Sequence, residues 1–117
     1  MEDKLFRKLV KQALDSLPKE FAQKLENVSV VVEDFPSNYQ LRKSKLAPWA
    51  LLLGLYEGVP QTKRGIYYSA IPDKITIFKN SILRVSETSE QVKAQVRATV
   101  IHEIGHHFGL SDADMKK

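Results

Sequence analysis

His102, Glu103 and His106 are the side chains of this 117-residue chain best placed to do chemistry together, in the run His102-Glu103-Ile104-Gly105-His106-His107-Phe108-Gly109-Leu110-Ser111-Asp112. At about 3.6 residues per helical turn, positions i and i+4 stand above one another on one face, so His102 and His106 can present two imidazoles to one metal ion. Glu103 then lies beside the ligands, where a general base for a metal-activated water has to stand. Gly109 can take the left-handed conformation that ends a helix. The turn it makes can bring Asp112 round as a third ligand, with Asp114 as the alternative. Three protein ligands and one open position characterise a catalytic zinc, whereas a structural zinc normally has four protein ligands. The same two-histidine, one-carboxylate set also suits Fe(II). The competing reading is a C-terminal helix with surface histidines, a glycine stop and an aspartate that caps the next turn. His107 stands about 100° round the helix from His106 and reads as a surface or supporting residue.

A helix must carry this group, and the residues before it predict one. Thr88 and Gln91 have the spacing of an N-cap and its reciprocal partner. Glu90, Lys93 and Arg97 form one wet ridge, while Gln95, Thr99, His102 and His106 fall on the opposite side. Val92, Val96, Val100, Ile101 and Ile104 spread apolar surface between them, which predicts a helix buried along much of its length with its metal face turned to a cleft.

The other elements read in chain order. Residues 2–17 place Leu5, Leu9, Ala13 and Leu17 four apart, with Phe6, Val10 and Leu14 on the same side and lysines opposite, an amphipathic helix that packs on a sheet. After Pro18, residues 19–25 resume it. The β-branched run at 28–32 predicts a strand, closed by the acid pair Glu33 and Asp34, read as solvated, and by turn residues. Residues 39–46, with Arg42, Lys43 and Lys45, read as an exposed loop or short helix. The apolar run 51–56 has the length of a strand, 66–69 reads as a brief one, and the alternation at 74–79 predicts a half-buried one. Tyr67 and Tyr68 are weighed as oxyanion donors against plain packing, and packing is preferred.

Composition bounds the function classes. At 43% hydrophobic and 27% charged, the chain reads as one ordinary globular domain, residues 1–117, with no run long enough to span a membrane. No secretory signal is visible at its start, which makes the cytoplasm the expected address. The absence of cysteine excludes disulfides and thiolate ligands. A net charge of +4 without a basic block reads as a solvated surface rather than a nucleic-acid footprint.

His102, Glu103, His106, Gly109 and Asp112 match the pattern HExxHxxGxxD, a zincin pattern close to the metzincin one with Asp replacing the third His. With Tyr56-Glu57-Gly58-Val59-Pro60, Arg64-Gly65, Pro72-Asp73-Lys74-Ile75-Thr76-Ile77-Phe78 and Leu110-Ser111-Asp112, the chain resembles the minimal zincin-like family of small bacterial metallopeptidases over residues 28–115. The resemblance implies a compact α+β zincin-like domain, a small mixed sheet packed against an N-terminal helix and the C-terminal HExxH helix. It also implies one zinc per chain, Glu103 as base, and a peptide or protein substrate. In zincins an edge strand borders the cleft and pairs with an extended peptide, and the resemblance nominates residues 51–56. The metzincin Met-turn cannot be built from the few residues after Asp112, and Met115 is left to pack or to floor the site. Two other classes stay open: a non-catalytic metal-binding module of the same fold, and a metal-dependent hydrolase acting on RNA.

Overall fold

Amphipathic periodicity sets the first element, and its buried face is the expected one except at Leu5. The computed structural model describes residues 1–44, 51–58 and 73–107, with His106 and His107 described by their backbone alone. Helix α1 (Asp3–Asp15) buries Phe6, Leu9, Val10 and Ala13, and Leu5 stays 42% exposed. Phe6, Leu9, Val10, Ala13 and Leu17 are thus buried as the periodicity predicts, and Leu5 falls at the wet edge of that face. Pro18 caps α2 (Lys19–Lys24), which drops Phe21 into the same core.

Strands β1 (Val28–Glu33), β2 (Gly54–Glu57) and β3 (Asp73–Phe78) form one mixed sheet in the order β1-β3-β2. β1 runs parallel to β3, pairing Val30 with Ile75, and β2 runs antiparallel to it, pairing Tyr56 with Ile75. The segment expected to be half-buried is instead the central strand, and Ile75, Thr76, Ile77 and Phe78 are all fully buried. Ile75 and Ile77 meet the helices, while Phe78 packs with Leu52 and Leu55 on the opposite face. Strict alternation signals one wet face only for a strand covered on one side, and this one is covered on both. Among the described residues the buried Thr76 hydroxyl has no hydrogen-bond partner.

The 39–46 stretch resolves as α3 (Asn38–Ser44), and a capping box explains why. The Gln40 N–H donates to Ser37 Oγ at 3.1 Å, and the Ser37 N–H donates to Gln40 Oε1 at 2.9 Å. Gln40 then spends both amide hydrogens across the sheet, on Glu33 at 3.1 Å and Glu57 at 3.4 Å. Glu33 stays exposed at the end of β1, a solvated acid that also accepts this hydrogen bond.

Short α4 (Lys79–Arg84) follows β3 directly, and α5 (Ser89–His107) lies against α1 and β2. Among the described residues no helix is long and apolar enough to cross a membrane.

Lys79 is nearly buried at the head of α4 and donates to the Asp3 carboxylate at the start of α1. That hydrogen bond, with the lysine charge, holds the Asp3 carboxyl below the ordinary aspartate range. A lowered folded-state value means that the contact stabilises above the ordinary range and is lost as pH falls through the folded value. Asp3→Asn is therefore expected to lower the melting temperature at neutral pH and to remove part of the acid-side decline below about pH 4. Thermal melts of both proteins across that range check it; parallel curves would refute the assignment.

Candidate functional site

Helix α5 begins where the capping pattern puts it: the Gln91 N–H donates to Thr88 Oγ1 at 3.1 Å, and the Gln91 side chain accepts from the Glu87 N–H rather than from Thr88 itself. Lys93 pairs with Glu90 at 2.9 Å on the wet ridge. Val92, Val96, Val100, Ile101 and Ile104 are buried against α1 and the sheet. With those positions committed inward, the helix leaves His102 exposed and Glu103 half-buried on its flank. Helical backbone continues to His107, so His102 and His106 are one turn apart on one element.

What α5 faces is β2, and a glycine permits the approach. A Cβ at Gly54 would lie 2.6 Å from Thr99 Cγ2 and 3.0 Å from the Thr76 carbonyl oxygen, closer than side chains tolerate. Thr99 cannot rotate away freely, because its hydroxyl donates to the Gln95 carbonyl at 2.7 Å within the helix. An isolated glycine within the apolar run 51–56 is the sequence signal of such an approach, one that the periodicity of the run does not use.

One turn beyond Thr99, Glu103 meets the strand itself. The Phe78 N–H donates to the Leu53 carbonyl at 3.0 Å, which marks that pair as hydrogen-bonded and fixes the alternation along β2. Leu55 and Glu57 then bond inward to β3, and Gly54 and Tyr56 turn their backbone groups outward. The Tyr56 N–H, on that outer side, donates to Glu103 Oε2 at 3.4 Å. The Tyr56 hydroxyl donates to Asp73 Oδ2 at 3.0 Å, tying β2 to the start of β3. The residue whose backbone N–H meets Glu103 is therefore Tyr56, in the Tyr56–Pro60 run and the apolar run 51–56 already picked out in the sequence.

Between the outer side of β2 and α5 runs a cleft of about 510 Å³, with His102 and Glu103 at one end. A hollow of about 590 Å³ lies elsewhere, lined by Glu33, Gln40, Glu57 and Lys74 among others. Its central polar groups are already spent on one another, and it holds neither histidine nor Glu103. The cleft beside α5 is the candidate site.

Of the expected ligands, the structure sets His102 and His106 on one helix, while Asp112 and Asp114 lie outside the described residues, as do Gly109, Tyr67, Tyr68, Met115 and the strand expected at 66–69. Among the described residues no three His, Cys, Asp or Glu side chains converge on one point. The described donors, the His102 imidazole and the Glu103 carboxylate, with His106 placed one helical turn on by its backbone, are of the types zinc prefers.

Comparison with known proteins agrees with this geometry. The chain is similar in structure to a conserved hypothetical protein from T. thermophilus, with a TM-score of 0.60 and 25% identity over 92% of this chain and 94% of that one. No functionally curated protein matches it. The model of the zincin-like metallopeptidases matches residues 25–117, a span that takes in the sheet, the cleft and the whole of α5. The chain belongs to the zincin-like metallopeptidase family.

Proposed function

We propose that this protein is a zinc-dependent peptidase that hydrolyses peptide bonds in the cleft between β2 and α5. The observation that carries the reading is the position of Glu103: one residue after His102, at the end of that cleft, within hydrogen-bonding distance of the outward N–H of Tyr56. His102 and His106, with Asp112 as third ligand, would hold one zinc per chain. A zinc held there supplies Lewis acidity, which acidifies a water and polarises a carbonyl.

The chain's own groups supply the rest. The outward N–H and C=O of Gly54 and Tyr56 are what an extended peptide needs to add itself to a sheet. A peptide bound there lies alongside His102 and Glu103, since α5 follows the same side of the strand. Glu103 takes the proton of the attacking water and returns it to the leaving amine. The Tyr56 N–H holds the carboxylate at the strand until substrate arrives. Gln40 holds Glu57, and through it the end of β2, so that the strand presents a fixed template.

The test is the metal content of the full chain, purified without chelators or a histidine tag, for wild type and His106→Ala, followed by a peptide-library digest. About one zinc per chain, lost in the variant, with cleavage by the wild type alone, is expected. A wild type that neither carries zinc nor takes it up would end this reading.

A further inference from the structure

The cleft has walls as well as a chemical end, and those walls differ in kind from the rest of the site. Going back along α5 from His102, the residues that line it are Thr99, Ala98 and Gln95; the facing wall carries Leu51 and Leu53. Leu51 is 37% exposed, a large apolar side chain left in water along the cleft. Ala98 is exposed too, and its methyl group leaves room where a longer side chain would fill the cleft. The Thr99 hydroxyl is spent on the Gln95 carbonyl inside the helix. Lys43, which also lines the cleft, lies 3.4 Å from Glu57, so its charge is already balanced. A charged side chain entering here exchanges water for Leu51, Leu53 and Ala98 and finds no described opposite charge short of Glu103 at the chemical end, whereas an apolar one gains by leaving water.

We infer that this part of the cleft is a specificity subsite for a bulky apolar side chain of the size of leucine, methionine or phenylalanine, with Ala98 setting the room available. The inference rests on the peptidase reading for its occupant, an extended peptide segment. Continuity supplies the occupant's position. Ala98 precedes His102 by four residues, about 6 Å along the helix, and an extended chain advances about 3.3 Å per residue. The selected side chain therefore sits about two residues from the bond held at His102. The outward backbone groups of Gly54, level with Thr99, anchor the segment in that register.

The experiment reads binding rather than turnover. The full chain, labelled with nitrogen-15, is titrated with N-acetyl-leucine methylamide and, separately, with N-acetyl-lysine methylamide. The leucine probe is expected to bind at least about ten-fold more tightly and to shift the amides of Leu53, Gly54 and Thr99. Ala98→Trp, at an exposed helical position, should abolish that binding while leaving the helical circular dichroism unchanged. Leu51→Ser should weaken it several-fold. Equal affinity for the two probes, no saturable shift with either, or undiminished binding by folded Ala98→Trp would overturn the inference. Because no step requires metal or catalysis, the two ideas fail separately. Leucine selectivity in a chain that takes up no zinc would sink the peptidase and leave the subsite, whereas a zinc peptidase indifferent to the side chain two residues from the cut would do the reverse.

Discussion

Glu103→Gln is expected to lower peptide hydrolysis by about a hundred-fold to ten-thousand-fold, the range associated with removing a general base, while zinc content stays near that of the wild type. The substitution isolates proton transfer from everything else the residue does. A glutamine keeps the length of the side chain and a carbonyl oxygen, so it can still accept the Tyr56 N–H that Glu103 accepts at 3.4 Å. What it cannot do is take a proton from water at neutral pH. His102→Ala and His106→Ala should behave differently, each losing metal and activity together, because two ligands from one helical turn bind far better than either alone. The measurement is zinc per chain beside kcat/KM for the same four preparations. A Glu103→Gln protein as active as wild type would remove Glu103 from the chemistry and end the proposed mechanism.

The second large effect is structural and reaches the site through packing. Gly54→Ala would put its methyl 2.6 Å from Thr99 Cγ2, with the Thr76 carbonyl oxygen 3.0 Å away on the other side. Relief requires α5 to move off β2, since the threonine is pinned by its bond to Gln95 and the carbonyl belongs to the central strand. Overpacking of this kind costs about 1–3 kcal/mol, a fall in melting temperature of about 5–15 °C for a chain of this length. The displacement also draws Glu103 away from Tyr56, so activity should fall even at temperatures where the variant is fully folded. Thr99→Ala removes the methyl at fault. In the double variant most of the stability is expected back, with a coupling of about 1–2 kcal/mol between the two sites. Additive effects, or a Gly54→Ala protein that melts with the wild type, would show that the helix and strand are not held at this contact.

Much of the site is legible in the sequence because it is local. His102, Glu103 and His106 lie within two turns of one helix, and helix geometry alone sets their relation once the helix exists. The helix in turn is announced by Thr88 and Gln91 at its start and by the valines along it. The same local logic covers α3. Ser37 and Gln40 form a capping box, which decides for a short helix a stretch that Arg42, Lys43 and Lys45 leave open between an exposed loop and a helix. The strands at 28–33 and 73–78 are visible as β-branched and alternating runs, and the structure carries both.

Sequence patterns mislead where the answer depends on a neighbour distant in the chain. Alternation in β3 carries no mark of a second covered face, because that face is closed by Leu52 and Leu55, about twenty residues earlier. Leu5 looks equivalent to Leu9 on a helical wheel, and only the docking of α1 against α5 leaves it in water. The environment of the base is non-local in the same way. Local geometry puts a carboxylate beside two histidines; burial of β2, β3, α1 and α5 against one another brings it to the N–H of Tyr56, with Gly54 as the point of closest approach. Residue types and spacing are thus enough for chemistry that one helix can hold. The cleft beside that helix belongs to strand order and helix docking, which arise from satisfying every apolar face at once.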